Sequence, residues 1–212
     1  MDLSRSKETM LEMHLKKRGI RDARVLAAMG QVAREDFIED AYRDQSYEDR
    51  PLPIGELQTI SQPYIVAAMA EAAELSARDR VLEVGTGSGY AAAVFAHIAK
   101  EVFSIERHGA LAKAAARRLD AAGVENVRVQ RGDGTLGWPD AAPFDAIIVA
   151  ASCEGVPSAL KAQLADGGRL IIPVGPADRT QRLIKIVRSD EGYRESVVHE
   201  AVRFVPLIAE GG

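Results

Sequence analysis

The sequence predicts an α/β protein built on a doubly wound, mostly parallel sheet, with an N-terminal helical extension and a C-terminal β-hairpin. From Arg80 onward, short apolar runs alternate with helical segments, which is the pattern of consecutive βα units. The run over 144–150 has a continuous apolar stretch from Ala146, as a strand needs when helices cover both faces of its sheet. Two β-rich runs near the end flank Asp190-Glu191-Gly192, which reads as a hairpin closing the sheet edge.

Residues 4–30 are polar with recurring Met10, Met13, Leu15, Val25, Leu26 and Met29. That spacing predicts two short amphipathic helices broken near Gly19. Residues 35–60 contain Pro51, Pro53 and Gly55 and read as a loop-rich cap. Pro63 suits the first turn of a helix, and the alanine-rich run to Leu75 continues it. Strands are predicted at 81–84, 102–105, 127–130, 144–150 and 170–174, and helices at 88–100, 110–122 and 157–164. Gly123 stops the second of these helices, and Gly167 and Gly168 follow the third. The hairpin strands fall at 182–188 and 193–202, and Gly211-Gly212 is expected to fray. Residues 1–60 are read as an extension capping the site and 61–212 as the main domain, in one structural unit.

Composition narrows the function. The net charge of -4 argues against nucleic acid as the main partner, because phosphate binding leaves a basic footprint. One cysteine, Cys153, cannot close an intrachain disulfide, which fits a reducing compartment. The first residues lack the apolar run of a secretory signal, and stretches such as 146–151 are too short to span a bilayer. A cytoplasmic monomer without a membrane partner is expected. His14, His97, His108 and His199 are scattered without ligand spacing, so no metal is expected. Trp138 is placed either at a pocket rim or in the core.

The sharpest motif is V-L-E-V-G-T-G-S-G-Y at 81–90, between a strand and a helix. Gly85, Gly87 and Gly89 allow a tight turn and close approach of the backbone to a ligand. With Glu83 and Thr86 they are candidate cofactor contacts. A dinucleotide fingerprint would need a glycine where Tyr90 stands, and no Gly-Lys-Ser/Thr follows for a P-loop. Glu106, beside Arg107, ends the next strand, where an acid can accept both hydroxyls of a ribose. Asp133 and Gly134 follow the third strand and can face an adenine ring. Three neighbouring strand ends thus describe an adenosine pocket for a cofactor without phosphates. The plainer readings are a tight turn, a solvated acid and a turn-stabilising acid.

This triple pattern resembles the class I S-adenosylmethionine methyltransferases, whose sheet is Rossmann-like. A more specific match is P-L-P-I-G-E-L-Q-T-I-S-Q-P-Y at 51–64, which looks like the signature of protein-L-isoaspartate O-methyltransferases. The likeness continues through G-D-G at 132–134, A-P-F-D-A-I-I-V at 142–149, G-G-R-L-I-I-P-V-G at 167–175 and V-R-F-V-P-L at 202–207. Two departures stand out: Leu57 where that family often has Gly, and A-S-C-E-G at 151–155.

The resemblance implies methyl transfer from S-adenosylmethionine to the free carboxylate of L-isoaspartyl residues in damaged proteins. The ester then collapses to a succinimide, which can hydrolyse to normal aspartate. It implies Ser61 at the reacting centre, orienting the acceptor; the alternative for Ser61 is a helix N-cap ahead of Pro63. Gln58, Thr59 and Ile60 would shape a lid over cofactor and substrate. Val205 would lend backbone groups to an extended peptide, beside Pro206. Cys153 reads as an inert small hydrophobe. The rival readings are a same-fold methyltransferase with another substrate, a family member that binds cofactor without turnover, and a nicotinamide oxidoreductase.

Overall fold

The computed structural model describes residues 2–209, so the expectation for Gly211-Gly212 lies outside them. The apolar runs become β3 (Arg80–Val84), β4 (Glu101–Glu106), β5 (Val127–Arg131), β6 (Phe144–Val149) and β7 (Leu164–Val174). All pair in parallel, and the seven-stranded sheet is completed by antiparallel β8 (Gln181–Ser189) and β9 (Gly192–Val202), in the order β5-β4-β3-β6-β7-β8-β9. Val81, Leu82, Val102, Ile147, Leu170 and Ile171 are buried between the helical layers, which explains why these strand positions are apolar. The tail hairpin extends the sheet beyond β7, as the sequence predicts.

Strand order reverses at β3, which has β4 on one side and β6 on the other. Chain segments leaving these strands diverge and open a crevice at their carboxyl ends. That crevice holds the site.

Helix α4 (Tyr90–Ala96) is shorter than the predicted 88–100. Gly89 at its N-cap has a φ of 91°, a left-handed value that belongs to a turn. Beyond the helix, Asn126 Nδ2 donates to the carbonyls of Ala96, Ala99 and Lys100, taking over groups that a longer helix would pair internally. Helix α5 (Gly109–Ala121) runs close to prediction. Helix α6 (Ser158–Ala162) is short because β7 already begins at Leu164. The β6–β7 register jumps between Phe144↔Leu164 and Ala146↔Arg169. Gly167 and Gly168 therefore lie in an irregular stretch of strand, not after a helix.

The extension begins with α1 (Leu3–Thr9), capped by Asp2, and continues through a π-helical turn, Met10–Leu15, and a 3-10 turn, Lys16–Arg18. Gly19 ends it with a φ of 107°. The wider π turn brings Met10 and Leu15 to the same buried face and turns Met13 outward, 46% exposed. Helix α2 (Ala23–Gln31) starts at Asp22, whose side chain accepts the Arg24 N–H. Met10, Leu15, Val25 and Met29 join one core with Val66 of α3 (Pro63–Ala72), Phe95 of α4 and Val102 of the sheet.

A small hairpin lies inside the expected loop-rich cap. Strands β1 (Leu52–Pro53) and β2 (Thr59–Ile60) pair antiparallel. The Gln58 N–H donates to the Gly55 carbonyl at 2.8 Å. Between them, Glu56 and Leu57 have φ of 50° and 57°, the positive pair of a hairpin turn. Leu57 is thus a non-glycine residue in a left-handed conformation.

Candidate active site

The carboxyl ends of β3, β4 and β6, the turn after β5, the β1–β2 hairpin and the C-terminal tail enclose a cavity of about 260 Å³. Among the residues named from sequence, Gln58, Thr59, Ile60, Ser61, Gly85, Thr86, Gly87, Glu106, Arg107, Gly134, Val205 and Pro206 line it. They come from segments far apart in the chain, and chain order alone does not bring them together.

Glu106 is 5% exposed. Its Oε2 accepts the Gly87 N–H at 2.8 Å and its Oε1 accepts the His108 N–H at 2.9 Å. Both oxygens keep further lone pairs for a ligand, so a fixed acceptor faces the cavity. No ion pair joins it to Arg107 among the described residues. Gly134 makes the floor: a Cβ there would lie 2.3 Å from Val84 Cγ1. Only glycine lets the turn after β5 come this near to β3.

Three residues expected from sequence to contact the cofactor do not line the cavity. Glu83 is 1% exposed and does not line the cavity. Its Oε2 accepts from Ser104 Oγ, which also bonds Thr86 Oγ1. Glu83 thus supports the glycine loop from behind. Burial, aided by the nearby Glu106 charge, pushes its pKa up to about 8, while the Ser104 hydrogen bond opposes the rise. Its Oε1 has no hydrogen-bond partner, consistent with a carboxyl that holds its proton. Gly89 is also absent from the wall: a Cβ there would be 3.3 Å from Ala115 Cβ of α5. This glycine serves helix packing. Asp133 caps the turn Gly134–Leu136, its Oδ1 accepting from Thr135 N and Oγ1. These bonds shape the turn whose Gly134 lines the cavity.

Ser61 is not the helix cap. The N-cap of α3 is Gln62, and the Tyr64 N–H is taken by Asp49 Oδ1. Among the described residues, Ser61 Oγ makes no hydrogen bond, while its carbonyl accepts from Arg34 Nη1 at 2.9 Å. Ser61 lines the cavity, and its hydroxyl has its donor and acceptor capacity unused within the described residues.

The tail backbone expected to meet a peptide is partly engaged within the chain. The Val205 carbonyl already accepts the Ser152 N–H at 2.8 Å, and the Leu207 N–H donates to the Ser152 carbonyl at 2.7 Å. The divergent segment at 151–155 therefore anchors the tail, with Ser152 bridging Pro206 and Cys153 bridging Val174. Burial pushes the Cys153 thiol up to about 11, which keeps it an un-ionised, inert group. Trp138 is partly buried and packs on the core, edge-on against Phe103 with ring centroids 5.4 Å apart, and does not line the cavity.

Several lining residues were not among the candidates named from sequence. Tyr90, Ala91, His108, Ala150, Leu207 and Ile208 all face the cavity. His108 and Leu207 sit next to named residues, which was the available signal. Ala150 needs the strand order, because it faces the loop only where β6 lies beside β3. Among the described residues, no group of three or more His, Cys, Asp or Glu is arranged to hold a metal ion.

The sequence profile described as protein-L-isoaspartate(D-aspartate) O-methyltransferase (PCMT) matches residues 5–211. The chain belongs to this family. It is 56% identical over 211 residues to "Protein-L-isoaspartate O-methyltransferase 2" of Marinobacter nauticus, covering 100% of this chain and 96% of that protein. It is 54% identical to "Protein-L-isoaspartate O-methyltransferase 1" of Rhodopseudomonas palustris, covering 97% and 84%. A solved protein-L-isoaspartate O-methyltransferase superposes with a TM-score of 0.87 at 31% identity, over 97% of this chain and 67% of that one. The Plasmodium falciparum member, solved with S-adenosyl-L-homocysteine, superposes with a TM-score of 0.81 at 29% identity, over 94% and 97%.

Within this family, the cavity suits an adenosyl sulfonium. The acid at the end of β4 is a hydroxyl acceptor, Val84, Ile105 and Leu207 supply apolar lining, and the loop lacks the lysine of a phosphate cradle. Gly85, Thr86, Gly87, Glu106 and Gly134 would hold the group.

Proposed function

We propose that this chain transfers the methyl group of S-adenosylmethionine to the free carboxylate of L-isoaspartyl residues in proteins, with Ser61 orienting the acceptor. The observation that carries the reading is the uncommitted Ser61 hydroxyl on a residue lining the same cavity as Glu106 and the glycine loop.

When bound, the cofactor supplies a methyl group already activated by its positive sulfur. An isoaspartyl α-carboxylate has a reference pKa of about 3.5 and is ionised at neutral pH. The chain therefore needs to supply no base and no nucleophile of its own. Its task is alignment, and near-attack positioning contributes several kcal/mol to lowering a barrier. Ser61 Oγ donates to one acceptor oxygen and fixes its direction. Gln58, Thr59 and Ile60 of the hairpin and Val205 and Pro206 of the tail also line the cavity. Val66, Ile105 and Leu207 give the cavity apolar walls, which lower the screening between carboxylate and sulfonium. The methyl ester product leads through a succinimide back toward aspartate, which makes the activity a protein repair.

Residues 1–60 cap the site in this reading. The protein acts in the cytoplasm as a monomer, without nucleic-acid or membrane partners. Support comes from the net charge of -4 and the unpaired Cys153. No described helix is long and apolar enough to cross a membrane.

The test uses matched synthetic peptides, one with L-isoaspartate and one with L-aspartate. Methyl transfer to the first alone is expected, and Ser61→Ala is expected to lower turnover far more than affinity for S-adenosyl-L-homocysteine. Equal labelling of both peptides, or unchanged turnover in the variant, contradicts the assignment.

A further inference from the structure

Arg34 is 0% exposed, and methyl transfer gives it no chemical part. It opens the 3-10 turn Arg34–Phe37 that follows α2. Its Nε donates to the Ser46 carbonyl at 2.6 Å, Nη1 to the Ser61 carbonyl at 2.9 Å and Nη2 to the Arg50 carbonyl at 3.5 Å. The guanidinium also lies 5.0 Å from the ring centroid of Tyr90, which lines the cavity. Among the described residues, no carboxylate forms an ion pair with it.

Burying a cation this way is unfavourable. Removing a guanidinium from water costs several kcal/mol after relaxation, and carbonyl dipoles compensate less than a carboxylate does. Burial pulls the pKa down to about 10, yet the group stays protonated at neutral pH. A methionine of similar length would fill the space without that penalty. What it cannot do is join three carbonyls from separate segments, which a planar fork of donors can.

The three segments point to the purpose. Ser46 and Arg50 belong to the extension, whereas Ser61 belongs to the cavity wall. Asp49 holds the same stretch from the other side, accepting from Gln62 Nε2 at 2.8 Å and Tyr64 N at 3.3 Å. Ser61 Oγ has no tether of its own, so its direction follows the backbone that these two residues hold. We infer that Arg34 is a positioning residue for methyl transfer, clamping the Ser61 peptide so that its hydroxyl meets the acceptor carboxylate. The inference rests on the role of Ser61 stated above.

The experiment compares Arg34→Lys, Arg34→Met, Ser61→Ala and the Arg34→Lys/Ser61→Ala pair in the full chain. Turnover and KM are measured with an isoaspartyl peptide, and the dissociation constant of S-adenosyl-L-homocysteine by calorimetry. Lysine keeps the charge and loses the fork; methionine loses both and guards against a lysine variant that does not fold. Each Arg34 variant is expected to lower kcat by about tenfold or more while the dissociation constant stays within about threefold. The double variant is expected to be no slower than Ser61→Ala alone by more than about threefold, because both changes remove one interaction. Parent-like kcat at position 34, equal losses of kcat and cofactor affinity, or effects that multiply in the double variant overturn the inference and leave Ser61 in place. Parent-like turnover in Ser61→Ala overturns the Ser61 reading and the Arg34 inference with it.

Discussion

Glu106 Oε2 accepts the Gly87 N–H at 2.8 Å, so the acid ending β4 and the glycine loop leaving β3 form one hydrogen-bonded unit. The carboxylate has two tasks: it faces the cavity and it holds the loop that forms the neighbouring wall. Losing it removes a ligand acceptor and frees a loop amide at once.

Glu106→Ala is accordingly expected to weaken S-adenosyl-L-homocysteine binding by about 1–3 kcal/mol, the scale of a lost charged hydrogen bond. Isothermal calorimetry reads this directly. An unchanged dissociation constant would remove Glu106 from the pocket.

Gly134→Ala places a methyl group 2.3 Å from Val84 Cγ1, a buried strand side chain with little room to yield. The strain is expected to lower stability by about 1–3 kcal/mol. Thermal unfolding measures it, and a variant that melts with the parent would mean the turn after β5 sits farther from β3.

Glu83 makes stability depend on pH with an unusual sign. Its folded pKa of about 8 lies above the carboxylate value of the unfolded chain. Below both values the group is protonated in either state and contributes nothing. Between them the folded state binds a proton that the unfolded state lacks, so stability falls as pH rises, by about 1.4 kcal/mol per pH unit at most. Glu83→Gln keeps an uncharged acceptor for Ser104 and is expected to flatten that slope in urea titrations between pH 5 and 8. An identical slope in the variant would show that Glu83 is ionised when folded.

Leu57 is 100% exposed with a φ of 57°. A side chain in the left-handed region is disfavoured by about 1–2 kcal/mol. Glycine removes that strain and gives back about half of it through added unfolded-state freedom. Leu57→Gly is therefore expected to stabilise the chain by about 0.5–1 kcal/mol. A lower denaturation midpoint would mean that Leu57 makes a compensating contact at the rim.

The sequence by itself determined the parallel strands, because a strand buried on both faces is mostly apolar, and 81–84, 102–105 and 144–150 are, with one polar residue each at Glu83, Ser104 and Asp145. It also determined the glycine loop and Glu106, since both follow strands directly and lie where an open sheet binds ligands. The two-residue strands β1 and β2 were not legible, being too short to show a period.

Other assignments were beyond local pattern. Glu83 and Glu106 are both acids near strand ends. Only the pairing of Glu83 with Ser104 across β3 and β4 places one behind the loop and leaves the other facing the ligand. Arg34 reads as an ordinary surface charge until the chain folds. Its burial depends on carbonyls at 46, 50 and 61 converging on one point. Apolar periodicity is a property of neighbours in sequence, so it survives in the sequence alone. Satisfying a buried polar group is a property of neighbours in space, and tertiary structure alone decides it.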